Sequence, residues 1–166
     1  MTNPIVIIGF MGTGKTTVAR LLAKRLGCFV VDLDQLITGN SGRSPREIIE
    51  QDGEAAFREI ESRTLGEVFD KGEAGVVALG GGAWTVARNR ELIAQHDGFT
   101  VWLDAPFDLC WRRIEEGADL RPLAPSREAA EKLYRERLPV YVMANLRIPV
   151  AEGDSAEDIA LRITSR

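Results

Sequence analysis

The chain has 166 residues, of which 45% are hydrophobic and 28% charged, with a net charge of −4 and an isoelectric point near 5.2. This length and hydrophobic content suit one domain with a sizeable core, so we predict a single domain over residues 1–166. The acidic balance argues against a nucleic acid partner. The sequence shows neither a leader pattern nor a run of about 18 apolar residues, so we expect no membrane attachment and a cytoplasmic location.

Five short apolar runs alternate with longer segments of helical periodicity. The runs cover residues 5–8, 29–31, 76–79, 99–103 and 146–150. Runs that are apolar on both faces and are separated by helices are typical of a parallel sheet covered on both sides. We therefore predict an α/β fold, a three-layer α/β/α sandwich.

A glycine-rich loop follows the first run. Residues 9–16 read Gly-Phe-Met-Gly-Thr-Gly-Lys-Thr, a complete phosphate loop, and a helical pattern starts at Thr17. Its glycines let backbone N–H groups point at a phosphate, and Lys15 can reach the β and γ phosphates. Thr16 has the hydroxyl that completes the coordination of phosphate-bound Mg²⁺. We predict that a nucleoside triphosphate with Mg²⁺ is bound by Gly12, Thr13, Gly14, Lys15, Thr16 and Thr17.

Two carboxylates follow the second apolar run, in the sequence Asp32-Leu33-Asp34. In an extended segment, alternation would place both side chains on the same side near the strand's carboxyl end, which is the ligand-facing edge of a parallel sheet. One carboxylate there can hold Mg²⁺ through water, and the other can accept or orient the proton of a hydroxyl acceptor. The competing interpretation is a helix cap at Asp34 and a solvated Asp32.

Two helices are predicted next. Residues 44–47 combine an N-cap serine, a proline and a capping-box glutamate, which starts a helix at Pro45. A second helical pattern runs from 54 to about 70 and places Arg58 and Glu61 on one side, three residues apart.

Two glycine- or proline-rich segments complete the pattern. Gly80-Gly81-Gly82 follows the third apolar run, where the missing side chains permit either close approach to a ligand or a tight turn. Residues 117–126 contain two prolines around Arg121 between two helical patterns, and we predict that this segment is a mobile flap.

At this point the chain resembles the shikimate kinase family over nearly its whole length. The motifs that carry the resemblance are residues 9–16, Asp32-Leu33-Asp34, Gly53-Glu54-x-x-Phe57-Arg58-x-x-Glu61, Gly80-Gly81-Gly82, Arg121-Pro122-Leu123 and Arg137-x-Pro139-x-Tyr141. The resemblance implies a P-loop kinase with a five-stranded parallel sheet, substrate-binding helices at about 33–62 and a lid at about 117–126. It implies transfer of the γ-phosphoryl group of ATP to the 3-hydroxyl of shikimate, in chorismate biosynthesis, by a protein that we expect to be a monomer.

The resemblance also assigns roles to individual residues. The implied shikimate contacts are Asp34, Arg58, Gly81 and Arg137, with Glu61 supporting Arg58 and with Gly80 and Gly82 in the same loop. Arg121 matches the family's lid arginine, which closes on the phosphates, and Arg112 is similar to a residue that lies against adenine. Lys15, Asp34 and Arg121 are accordingly the candidate catalytic residues, and Thr16 and Asp32 are the candidate metal ligands.

Residue chemistry supports this assignment independently of the family name. An acceptor that carries a carboxylate needs planar bidentate donors, which Arg58 and Arg137 can supply. Another small-metabolite kinase, such as a gluconate kinase, would use the same phosphate loop and Asp32. A nucleotide switch or an inactive binding module is disfavoured, because no Asn-Lys-x-Asp motif is present and because Lys15, Asp34 and Arg121 are all retained.

Overall fold

The computed structural model describes residues 3–117 and 123–165. Arg121 and Pro122, which belong to the predicted flap, lie outside these ranges. Within the described ranges, no helix combines the length and the apolar character needed to cross a membrane.

A five-stranded parallel sheet forms the centre of the molecule and confirms the predicted fold class. The strands are β1 (Ile5–Ile8), β2 (Phe29–Asp32), β3 (Ala74–Ala78), β4 (Phe99–Asp104) and β5 (Leu146–Pro149). Their spatial order is β2-β3-β1-β4-β5, so β1 is central and is paired on both sides. Val6, Ile7 and Ile8 are buried, as expected for a strand that helices cover on both faces.

Helices connect the strands and cover the sheet. They are α1 (Lys15–Leu26), α2 (Leu33–Ser41), α3 (Pro45–Asp52), α4 (Glu54–Lys71), α5 (Ala87–Gln95), α6 (Phe107–Glu116), α7 (Arg127–Tyr141) and α8 (Ala156–Thr164), with a 3₁₀ turn at Ala83–Thr85. The predicted start of α3 is confirmed, because Ser44 and Glu47 form a complete capping box in front of Pro45. The predicted start of α4 at Glu54 is confirmed as well.

Helix α1 begins two residues earlier than the pattern at Thr17 indicated. Gly14 is its N-cap and has a left-handed backbone with φ of 88°, so the helix follows the phosphate loop without a spacer. Lys15 and Thr16 therefore stand in the first helical turn, where backbone N–H groups have no helical partner and favour an anion.

The Asp32-Leu33-Asp34 segment is not extended, and this part of the prediction was wrong. Strand β2 ends at Asp32, whose carboxylate accepts a hydrogen bond from the Gln35 backbone N–H at 3.1 Å and so caps α2. Asp34 lies in the first turn of that helix. The cap ends the strand because the carboxylate satisfies an N–H group that has no partner inside the helix.

The loops after β1, β2 and β3 all leave the sheet at its carboxyl edge. Because the chain passes from central β1 to β2 and β3 on one side and to β4 and β5 on the other, a crevice forms beside β1. This crevice is where the polar residues predicted from the sequence come together.

Candidate active site

The phosphate loop has the conformation that its glycines permit. Gly9, Gly12 and Gly14 have φ values of 150°, 79° and 88°. A Cβ atom at Gly12 would lie 2.6 Å from the Cys110 carbonyl oxygen, so the packing of α6 also excludes a side chain there. Lys15 Nζ donates a hydrogen bond to the Phe10 carbonyl at 2.8 Å, which holds the ammonium over the loop. The loop can therefore receive an anionic group without a change of backbone.

A cavity of about 410 Å³ opens beside this loop and contains most of the predicted site residues. Those that line it are Gly12, Gly14, Lys15, Thr16, Thr17, Asp32, Asp34, Arg58, Glu61, Gly80, Gly81, Gly82 and Arg137. The cavity thus joins the phosphate loop to side chains from α2, α4 and α7. Met11, Arg46, Ile49 and Leu123 also line it, and none of them was predicted as a site residue from the sequence.

Two arginines from distant parts of the chain converge on the glycine loop after β3. A Cβ atom at Gly82 would lie 2.9 Å from Arg137 Nη2 and would overlap the guanidinium of Arg58. Only a glycine leaves room for both groups at this point. Arg137 is 6% exposed, so the pair presents a concentrated positive charge that suits a carboxylate inside a confined cavity.

Asp34 approaches the same loop from α2. A Cβ atom at Gly80 would lie 2.9 Å from Asp34 Oδ1, and both residues line the cavity. Asp34 therefore shares one cavity with the phosphate loop and the arginine pair.

Glu61 lies beneath Arg58 and is completely buried. Its Oε2 accepts a hydrogen bond from Arg58 Nη1 at 2.8 Å, whereas its Oε1 has no hydrogen-bond partner. Burial raises the pKa of this carboxyl to about 7, against the opposing attraction of Arg58. Arg58 also reaches the exposed Glu54 at 3.4 Å, so the guanidinium is held from two sides.

Thr16 and Asp32 form the oxygen cluster that a magnesium ion would need. Thr16 Oγ1 donates a hydrogen bond to Asp32 Oδ2 at 2.5 Å, and both residues line the cavity. Across the described ranges, no group of three or more His, Cys, Asp or Glu residues could hold a metal. Two hard oxygen donors beside a phosphate loop nevertheless fit Mg²⁺, which usually takes one or two protein ligands together with phosphates and water.

A second cavity of about 380 Å³ lies on the other side of the phosphate loop. Thr13, Gly14 and Thr17 line it from the loop, and Arg113 and Asp154 line it from α6 and from the segment before α8. Arg113 Nη1 also donates to the Gly12 carbonyl at 3.2 Å. This position next to the loop is suitable for the nucleoside part of a nucleotide.

The structure places Arg112 away from both cavities, contrary to the expected adenine contact. Its guanidinium pairs with Glu152 on the surface, while the neighbouring Arg113 turns inward. The reason is helical geometry: Arg113 lies three residues after Cys110, whose carbonyl oxygen packs against Gly12, and it therefore shares the face of α6 that is turned to the phosphate loop. The apolar pattern of α6 did not separate the two arginines, because Arg112 and Arg113 each follow a buried residue, Leu109 or Cys110, by three positions.

Comparisons with known proteins agree on one family. The family model described as shikimate kinase matches residues 11–166. A shikimate kinase of Nostoc punctiforme is 41% identical over 162 residues, which is 96% of this chain and 87% of that protein. One of Ruegeria pomeroyi is 39% identical over 92% of this chain and 77% of its own length. The solved shikimate kinase of Acinetobacter baumannii in complex with shikimate has a TM-score of 0.89 at 34% identity and covers 99% of this chain and 92% of that one.

Proposed function

Because this chain belongs to the shikimate kinase family, we propose that it transfers the γ-phosphoryl group of ATP to the 3-hydroxyl of shikimate. The products are shikimate 3-phosphate and ADP, and the reaction belongs to chorismate and aromatic amino acid biosynthesis. The observation that carries the acceptor assignment is the meeting of Arg58 and Arg137 at Gly82, inside the cavity that also contains the phosphate loop.

The acceptor carboxylate would bind to the two guanidinium groups by charge-assisted hydrogen bonds. This anchors one end of the ring and leaves the hydroxyl groups to face Asp34 and the phosphate loop. The 3-hydroxyl oxygen then forms a bond to the γ-phosphorus as the bond between that phosphorus and the ADP oxygen breaks. Asp34 accepts the hydrogen bond of the attacking hydroxyl and can take its proton.

Charge on the transferred group is neutralised by Lys15 and by the N–H groups at the start of α1. Thr16 and Asp32 would hold Mg²⁺, which supplies further positive charge to the phosphate oxygens. Arg121 stays a proposed phosphate contact on its sequence match alone, because it lies outside the described residues. Arg113 takes the place of Arg112 as the proposed contact on the nucleoside side.

ADP release in a coupled assay tests the acceptor directly. Mg²⁺-ATP is combined with shikimate, with gluconate or with no acceptor, at equal acceptor concentrations. The proposal expects turnover that depends on shikimate. Equal ADP formation without acceptor, or turnover with gluconate alone, would overturn the acceptor assignment and leave the nucleotide site intact.

The monomeric state is also a proposal. It is supported by the cavity, which draws its phosphate loop, both arginines and Asp34 from one chain. Light scattering of the purified protein at assay concentration would test it, since a dimer would double the expected mass of 18.3 kDa. The cytoplasmic location stays a prediction.

A further inference from the structure

Tyr141 is a buried tyrosine whose hydroxyl reaches residues 80–82, the glycine loop after β3. This loop lines the first cavity, which we call the acceptor cavity. Tyr141 is the last residue of α7 and is 1% exposed. Its hydroxyl donates a hydrogen bond to the Gly81 carbonyl at 2.5 Å, across sixty positions of sequence. The contact therefore connects the end of α7 to the loop after β3.

Arg137 lies on the same face of α7, one turn before Tyr141. A Cβ atom at Gly81 would lie 3.0 Å from Arg137 Nη1, so the guanidinium is packed against the same glycine whose carbonyl the tyrosine holds. The side chain of Phe10 supports the guanidinium further, with its ring centroid 5.8 Å from the Arg137 Cζ. Loop, arginine and tyrosine thus form one contiguous group.

The phenol is kept in its hydrogen-bonding form. Burial raises the pKa of Tyr141 to about 12, although the nearby Arg137 acts in the opposite direction through its charge and a hydrogen bond. The hydroxyl therefore stays protonated at neutral pH and continues to donate to Gly81.

A second hydrogen bond joins the same two segments. Trp84, in the 3₁₀ turn just after the glycine loop, donates from Nε1 to the Val140 carbonyl at 2.9 Å. Gly80, Gly81 and Gly82 have no side chains that could hold the loop from within, and glycine is the least restricted residue of the backbone. Local bonds from the Ala83 and Thr85 N–H groups hold the Gly80 and Gly82 carbonyls, and the bond from Tyr141 adds a hold on the Gly81 carbonyl between them.

We propose that Tyr141 is a positioning residue for the acceptor clamp, the pair formed by Arg58 and Arg137. Its hydroxyl fixes the Gly81 carbonyl, so that the glycine loop and the Arg137 guanidinium keep the spacing that a carboxylate requires. The inference rests on the proposed function, since it assigns the clamp to the carboxylate of shikimate. A displacement of about 1 Å in a positioning group is enough to weaken catalysis substantially.

Tyr141→Phe removes the hydroxyl and keeps the ring that packs in the core. We expect the KM for shikimate to rise by about tenfold, which is the effect of losing about 1.4 kcal/mol of binding. The KM for ATP should rise less than the KM for shikimate, because the lost hydrogen bond holds the glycine loop after β3 and not a residue of the phosphate loop. An unchanged KM for shikimate, or an equal rise in both KM values, would overturn the inference.

Tyr134→Phe is the matched control. The Tyr134 hydroxyl also donates to a backbone carbonyl, that of Ala105 at 2.9 Å, but it does not contact the glycine loop. This variant should lose a comparable hydrogen bond and leave the KM for shikimate near the wild-type value. If Tyr134→Phe raised that KM as strongly, loss of a tyrosine hydrogen bond in general would explain the effect, and the assignment to Tyr141 would fail.

A double-mutant cycle tests whether Tyr141 acts on the KM for shikimate through Arg137. In an Arg137→Lys background, Tyr141→Phe should raise the KM for shikimate by less than about twofold, because the planar clamp is already lost. A tenfold rise in both backgrounds would show that Tyr141 acts independently of Arg137 and would overturn the inference. Absence of shikimate turnover in the wild-type protein would instead overturn the proposed function, so the two failures are distinguishable.

Discussion

Two carboxylates of the cavity face different surroundings and should respond differently to substitution. Asp34 lines the cavity next to Gly80 and is half-buried, whereas Glu61 is completely buried beneath Arg58. We propose that Asp34 meets the substrate hydroxyl, whereas Glu61 holds Arg58. Substitution of each carboxylate by its amide therefore tests one of these two roles.

Asp34→Asn should lower kcat by a factor of about 100 or more, because an amide cannot take the proton of the attacking hydroxyl. The affinity for Mg²⁺-ATP, measured by calorimetry, should stay close to that of the wild-type protein. The matched variant is Asp32→Asn, which changes the carboxylate that bonds to Thr16 and should weaken Mg²⁺-ATP binding. Loss of ATP affinity in Asp34→Asn would place Asp34 among the metal ligands instead.

Glu61 makes the stability of the protein depend on pH. Its pKa is about 7 in the folded state, above the ordinary value near 4.5, so the folded protein keeps a proton that the unfolded chain releases. The free energy of unfolding therefore falls as pH rises from about 4.5 to 7, by roughly 3 kcal/mol, and the loss is complete above pH 7. Glu61→Gln has no proton to release, so the wild-type protein should lose stability relative to this variant over that pH range.

Urea unfolding of both proteins at pH 5 and pH 8 measures this difference. The control is Glu54→Gln, which removes the half-exposed carboxylate that reaches the same Arg58 guanidinium. That variant keeps Glu61, so its stability should fall with rising pH as the stability of the wild-type protein does. A stability difference between wild type and Glu61→Gln that is the same at both pH values would contradict the prediction.

At the scale of elements, two helices, α3 and α8, each begin with a capping box, and each box lies beside a different cavity. Ser44 and Glu47 form a capping box at the start of α3, and Ser155 and Asp158 form one at the start of α8. Ser44 lines the acceptor cavity. Ser155 lies between two residues, Asp154 and Ala156, that line the second cavity, where we propose that the nucleoside binds. The two caps therefore form a natural pair for comparison.

Ser44→Ala and Ser155→Ala should each lower the free energy of unfolding by about 1 kcal/mol, through loss of the side-chain bond to a helical N–H group. Their kinetic effects should differ: Ser44→Ala should raise the KM for shikimate a few-fold, and Ser155→Ala should raise the KM for ATP. Urea unfolding and steady-state kinetics measure both quantities. Equal changes in both KM values for the two variants would show that the helices do not position their cavities separately.

At the scale of the whole molecule, the acceptor-binding helices share one core with the sheet. Ile37 of α2, Ile48 of α3 and Phe57 of α4 are buried in the same cluster as Val6 and Val77 of the central strands. A ligand held by α4 and α7 should therefore stabilise the entire fold. We therefore propose a single domain over residues 1–166, and a single cooperative unfolding transition would test it.

Shikimate at about 100 times its dissociation constant should raise the free energy of unfolding by about 2.7 kcal/mol. For a chain of this size the corresponding rise in Tm is roughly 5 to 10 °C. Differential scanning calorimetry with shikimate, with gluconate and without ligand measures it. Gluconate at the same concentration should cause little change, and an equal rise with both ligands would contradict a clamp that selects the acceptor.

The sequence by itself determined the features that depend on near neighbours. The phosphate loop, the apolar strands, the start of α3 and the start of α4 could all be predicted, because glycine conformation, capping and periodicity involve residues within one turn or one strand. The Asp32-Leu33-Asp34 segment was misjudged in conformation, because a strand and a helix meet within it and the cap at Asp32 outweighed the alternation. Its place at the carboxyl edge was nevertheless predicted correctly.

Only the tertiary structure decided which distant groups meet. The convergence of Arg58 and Arg137 on Gly82, the inward turn of Arg113 instead of Arg112 and the bond from Tyr141 to Gly81 each join elements far apart in the chain. These contacts follow from the order of the strands and from the faces on which the helices pack. No local pattern encodes them, because the energy of such a contact depends on residues that become neighbours only when the whole core assembles.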